Sequence, residues 1–82
     1  MSLPEYQCHK KVRAAQIERI TYDAALENFC LHLKGGIKRT LSKKWFLRHD
    51  PDIGGYYVEY SDGYSSYSPQ EAFEEGYHIV QQ

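Results

Sequence analysis

Four side chains in this sequence are soft metal donors: Cys8, His9, Cys30 and His32. Four thiolate or imidazole ligands is the number a structural zinc ion requires. Their spacing works against one. Neighbours on an extended chain point to opposite faces, so Cys8 and His9 diverge, while Cys30 and His32 share a face and supply half a site. There is no Cys-x-x-Cys pair, and buried cysteine beside partly buried histidine is the commoner reason for such residues. Neither a metal nor a cofactor is therefore expected; a redox pairing of Cys8 with Cys30 is the other alternative for the thiols. His49 and Asp50, close to Asp52, have acid–base character. No nucleophile elbow, phosphate loop or paired-carboxylate spacing accompanies them. His49 also has a simpler role open to it, because a charged imidazole suits a helix C-terminus. The expectation is a protein without enzymatic activity.

Binding chemistry is better represented. Between Asn28 and His49 there is no acid, and Lys34, Lys38, Arg39, Lys43, Lys44 and Arg48 all fall there. Ser42 is an N-cap candidate, and the first-turn N–H groups behind it, beside Lys43 and Lys44, would attract a phosphate. Two lysines in a first helical turn oppose the macrodipole, a local cost sometimes kept for binding. Lys38, Arg39, Lys43, Lys44 and Arg48 are thus the candidate anion or nucleic-acid site. Trp45 would stack on a base if exposed and join the core otherwise. The mirror case lies further along. Glu74 and Glu75 sit near a helix C-terminus, where negative charge is disfavoured. With Tyr57, Glu59 and Tyr64 on a sheet face, they would form an acidic surface whose tyrosines offer large contact area and a hydrogen-bonding tip, as protein interfaces do. A second layer of packing is the alternative for these residues.

The elements that must position these groups are most legible in the C-terminal third. Tyr56, Val58 and Tyr60 alternate with Tyr57, Glu59 and Ser61, a strand pattern rich in β-formers. Asp62-Gly63 suits a two-residue hairpin turn. That loop length would pair Val58 with Tyr67 and place Val58, Tyr60 and Tyr67 on the core face. Ser68-Pro69-Gln70-Glu71 reads as a capping box opening a helix through Ala72 and Phe73 that stops at Gly76. His78-Ile79-Val80 would add a final strand. A looser copy precedes this unit: Phe29, Leu31 and Leu33 alternate, Gly35-Gly36 turns, Ile37 to Leu41 returns, and a helix with Trp45, Phe46 and Leu47 follows, ended by Pro51. A two-residue turn would put Lys38 opposite Leu33 on the apolar face; a three-residue loop with a bulge repairs the register. The units over 29–49 and 56–76 are either an internal repeat or two ordinary hairpin–helix segments. Lys11 to Ile20 reads as a strand, with a helix as the alternative, and Thr21 as the cap of a helical turn to Leu26. The expected fold is α+β: five or six antiparallel strands, two short helices, and a sheet either open or curled like a small barrel.

With 82 residues, 41% hydrophobic and 26% charged, the chain suits one compact domain over 1–82 without an interdomain catalytic cleft. No apolar run approaches the ~18–20 residues that span a bilayer. Glu5, Lys10, Lys11, Arg13, Glu18 and Arg19 interrupt any signal-peptide core, and two cysteines do not make a stapled secreted scaffold. A reducing cytosol and no membrane partner are expected. The net charge of −1 conceals a segregation: all ten Lys and Arg lie in residues 1–49 with four acids, whereas 50–82 holds the other seven acids and no Lys or Arg. Either the halves neutralise each other or associate head to tail as a homodimer, or one charged face meets a foreign partner.

The string Tyr6-Gln7-Cys8-His9-Lys10-Lys11-Val12 resembles small uncharacterised proteins encoded by tailed bacteriophages. So does the run His49, Pro51, Gly54-Gly55-Tyr56-Tyr57-Val58, Tyr60, Asp62-Gly63-Tyr64, Ser68-Pro69, Ala72-Phe73-Glu74 and Gly76-Tyr77. The two together cover about half of the chain. Arg13 stands where that family commonly has Trp, and a longer insertion often precedes its second hairpin. The resemblance implies a phage or prophage accessory protein in the host bacterial cytoplasm, with no catalytic residues to carry over. Three functions follow as expectations. The first is binding and inhibition of a host protein, as in counter-defence, through Tyr57, Glu59, Tyr64, Glu74 and Glu75. The second is nucleotide or nucleic-acid binding through the basic set. The third is a virion or assembly component.

Overall fold

The computed structural model describes residue 3 and residues 12–76. In chain order these form β1 (Arg13–Asp23), β2 (Asn28–Leu33), β3 (Ile37–Ser42), α1 (Lys43–His49), β4 (Tyr56–Glu59), β5 (Ser65–Ser68) and α2 (Gln70–Gly76). The strands make one antiparallel five-stranded sheet in the order β3-β2-β1-β4-β5. The expected α+β architecture is present. The expected strand at His78–Val80 lies outside the described residues, as do Cys8 and His9. Among the described residues no helix is long and apolar enough to cross a membrane.

The long first strand organises the sheet. Its N-terminal half pairs with β4, Arg13 to Gln16 against Glu59 to Tyr56, and its C-terminal half pairs with β2. Partners change at Ile17, whose N–H donates to the Gly55 carbonyl (2.8 Å) and whose carbonyl accepts from the Gly54 N–H (2.9 Å). Register then slips between Ile17 and Arg19. Ala15 and Ile17 face inward before this bulge, and the inward set resumes at Ile20 and Tyr22. A bulge bends a strand and increases its twist, so the one strand serves two halves of a coiled sheet. Gly55 is where the chain must come close: a Cβ there would overlap the Tyr67 ring. The helical turn expected from Thr21 is instead a tight turn after Asp23, whose carboxylate accepts from the Ala25 and Leu26 N–H groups.

Both hairpins appear, with different loops. The first has a three-residue connection that pairs Leu33 with Ile37, and Gly35 and Gly36 carry positive φ. That sends Lys38 to the outer face opposite His32. In the second, Tyr57 pairs with Tyr67 and Glu59 with Ser65, so the loop is five residues long rather than two. The Asp62 carboxylate accepts from the Tyr64 N–H (3.1 Å), and the Tyr60 N–H donates to the Tyr64 carbonyl (2.8 Å). Moving the register by one residue exchanges the faces of a strand. Tyr57 therefore joins Tyr67 on the concave face, while Val58, buried as expected, lies on the opposite face and Tyr60 falls in the loop.

The core lies on the concave face: Ile17, Leu31, Leu33 and Tyr57 are buried together, with Ala15, Ile20, Leu41, Trp45 and Tyr67 against them. Each fully buried aliphatic side chain contributes roughly 1.5–3 kcal/mol. The helices cover opposite faces of β4. Trp45 of α1 sits 6.0 Å from inward-facing Tyr57, whereas Phe73 of α2 stacks at 4.1 Å on outward-facing Tyr56. The two hairpin–helix units thus share an order of elements but not a packing. The sheet coils enough for Arg39 of edge strand β3 to reach Glu59 of β4 across two intervening strands. It stays open, because β3 and β5 do not pair, and the barrel alternative does not hold.

Candidate functional site

A polar chain crosses the concave face where α1, β3, β4 and β5 converge. The Trp45 Nε1–H donates to Ser65 Oγ (3.1 Å), and Ser65 lies beside the Tyr57 hydroxyl. Tyr57 donates to Glu59 Oε2 (2.9 Å), which also receives Arg39 Nε (2.8 Å). Tyr57 and Arg39 thus both donate to one carboxylate. The Arg39 hydrogen bond, then that of Tyr57, holds Glu59 below the usual carboxylate range, and Glu59 in turn raises Arg39. Burial is the main cause that pushes the Tyr57 hydroxyl above its ordinary value. Serine and tryptophan carry no sequence signal for such a network; only the pairing of Glu59 with Ser65 brings them together.

This geometry disperses the acidic, tyrosine-bearing surface expected from the sequence. Tyr57 is buried in the core, only 5% exposed, and Glu59 is engaged by Tyr57 and Arg39. Glu74 lies on the other side of the sheet, where it accepts from the Tyr56 hydroxyl (2.9 Å) and from Gln70 Nε2 (3.4 Å). That hydrogen bond is the main cause that raises the Tyr56 hydroxyl. Tyr64, 74% exposed, and Glu75 are outward and open. Three of the five nominated residues, Tyr64, Glu74 and Glu75, are thus exposed, Glu74 being held by Tyr56 and Gln70.

The basic set is divided as well. Arg39 is spent on Glu59, while its neighbour Lys38 points from the opposite face of β3. Ser42 caps α1 as expected, accepting from the Trp45 N–H (3.2 Å), so its hydroxyl is committed to the helix. Trp45 is half-buried against Tyr57, which removes it from base stacking. Lys43, Lys44 and Arg48 are exposed on α1, and none has an ion-pair partner among the described residues. His49, expected to favour its charged form, packs at 4.5 Å on Trp45; burial, then Arg48, lowers its pKa. Asp50 takes the left-handed helix-terminating position, its N–H on the Phe46 carbonyl (2.8 Å).

Cys30 and His32 share the convex face as their spacing implies, and the Cys30 thiol is free. His32 lies between Arg19 and Lys38 in the strand pairings, a placement the sequence conceals because three elements contribute. Arg19 Nη2 lies 3.3 Å from His32 Nδ1 and Thr21 Oγ1 lies 3.0 Å from Nε2. Guanidinium only donates, so Nδ1 is the acceptor and the neutral Nε2–H tautomer fits this site. Burial, then Arg19 and Lys38, lowers the His32 pKa accordingly. No cluster of three potential metal-ligating side chains occurs among the described residues.

No protein-family model matches the chain, and no curated protein does. Among solved structures it is similar to the NMR solution structure of the monomeric form of the phage L decoration protein, with a TM-score of 0.63 over 94% of this chain. The sequence identity is 22%. The likeness is one of fold. The chain spans 64% of that protein's length.

Proposed function

We propose that this chain is a structural component of a bacteriophage particle, joining the head surface or its assembly intermediates as a decorating protein. The observation that carries the reading is the fold it shares with a phage decoration protein over 94% of the chain. The resemblance of its terminal motifs to small tailed-phage proteins points the same way. The physical character of the domain supports it. The coiled sheet has a helix on each side of β4, and its concave face is closed by the Trp45–Ser65–Tyr57–Glu59–Arg39 chain. The domain presents charged exterior helices, a surface suited to docking on a repeating protein lattice.

The test is stoichiometric. Gradient-purified virions of the encoding phage are analysed by quantitative mass spectrometry, and the purified protein is mixed with heads lacking it, followed by sedimentation. Tens to hundreds of copies per particle and saturable co-sedimentation are expected. Absence from virions together with capture of a defined host protein during infection would replace this reading with host-protein inhibition.

A further inference from the structure

The two helices carry opposite charge on opposite sides of the molecule. α1 exposes Lys43, Lys44 and Arg48 and has no acid; α2 exposes Glu71, Glu74 and Glu75 and has no base. Lys43 and Lys44 precede Leu47 by four and three residues, a spacing that makes side chains neighbours on a helix surface. Leu47 is 70% exposed, so the basic face has an apolar centre. Interaction surfaces are commonly built with an apolar centre inside a polar rim. Among the described residues these charges find no ion-pair partner, and the ion pair joining the basic and acidic halves is Arg39–Glu59.

The fold keeps the two helices apart. Tyr56 and Tyr57 are consecutive and point to opposite faces of β4; Phe73 of α2 stacks on the first and Trp45 of α1 packs beside the second. The sheet therefore separates the basic helix of a molecule from its own acidic helix. A second copy has no such obstacle. We propose that the chain self-associates head to tail, the exposed face of α1 on one copy docking against the exposed face of α2 on the next. The contact is heterologous, so it propagates into a ring or a short chain according to the rotation between copies. It depends on no capsid partner and stands independently of the particle reading.

Sedimentation velocity of the full chain tests it at low and high salt. Because the Debye length shrinks from about 30 Å at 0.01 M to about 3 Å at 1 M, association should weaken at least about tenfold across that range. Two variants then isolate the faces: Lys43→Glu/Lys44→Glu on α1, and Glu71→Lys/Glu75→Lys on α2. The helix dipoles favour acids early in α1 and a cation late in α2, which offsets the cost at position 71; unchanged thermal melts confirm folding. Each variant alone should be monomeric. Their equimolar mixture should associate again, because the native α1 of one meets the native α2 of the other and the two reversed faces are complementary in turn. A wild-type monomer at low salt, association retained by either variant, or a mixture that stays monomeric would each overturn the proposal.

Discussion

Tyr57→Ala separates the structure from the arrangement that the Asp62-Gly63 dipeptide suggests. In the structure Tyr57 is 5% exposed, packs with Ile17, Leu31 and Leu33, and bonds Glu59. Truncating a large buried aromatic side chain costs about 3–5 kcal/mol. An 82-residue domain has roughly 4–12 kcal/mol of total stability. The substitution therefore removes from a quarter of the stability to all of it, a fall in Tm of more than about 10 °C for a domain of this size. Tyr64→Ala, at a side chain 74% exposed, should stay within about 0.5 kcal/mol of wild type. Tyr57→Phe keeps the ring and breaks the hydrogen-bond chain at its middle, for an intermediate loss of about 0.5–1.5 kcal/mol. Urea denaturation followed by circular dichroism, with Trp45 fluorescence as a second probe, measures all three. A Tyr57→Ala protein as stable as wild type would refute the five-residue loop, because a two-residue loop turns Tyr57 outward and Tyr60 inward.

The other predictions concern single contacts. Ser42→Ala removes the cap on the Trp45 N–H and should cost about 1 kcal/mol by urea denaturation; no change would mean that α1 is held by packing alone. Gly55→Ala should destabilise by roughly 1–3 kcal/mol, because the new methyl overlaps the Tyr67 ring, and the double variant with Tyr67→Ser should recover the part due to that clash. Glu59 titrates below the ordinary glutamate value in the folded protein, chiefly through the Arg39 hydrogen bond, so its contribution is complete above the ordinary value and disappears as pH falls through the folded one; Glu59→Gln should flatten this acid limb of stability. His32, lowered from 6.5 by burial, Arg19 and Lys38, should show an NMR titration midpoint below that value which moves upward in Lys38→Gln.

Several of these positions were readable in the sequence and others were not, for reasons that lie in the local chemistry. The Ser42 cap, the three-residue loop at Lys34-Gly35-Gly36 and the short helix through Trp45 each depend on residues within a few positions of one another. The second hairpin failed because Asp62-Gly63 has two uses. It can form a tight primed turn, or the Asp carboxylate can hold the Tyr64 N–H within a wider loop, as observed. A tyrosine-rich strand with apolar character on both faces gives no pattern to choose between them. The first strand was ambiguous for a different reason. Its inward residues are Ala15, Ile17, Ile20 and Tyr22, and the three-residue step at the bulge mixes strand and helix spacing. The candidate sites depended on long-range pairing, so their composition was visible while their grouping was not: Glu59 looked like a surface acid until β3 brought Arg39 to it.

That pairing also explains how a polarised sequence folds as one domain. Had the basic half and the acidic half attracted each other through many exposed pairs, each would have contributed little, since such pairs are worth about 0–1 kcal/mol and are screened by salt. The fold instead concentrates the attraction at Arg39 and Glu59, where the coiled sheet brings an edge strand back over β4 and where Tyr57 shares the carboxylate. The pair is itself exposed and so worth little alone; it marks the closure, while the buried Ile17, Leu31, Leu33 and Tyr57 beneath it supply most of the stability. The closure forms without neutralising Lys43, Lys44 and Arg48 on one side or Glu71 and Glu75 on the other. Closure uses little of the charge, and what remains on the two helices is available for contacts between molecules.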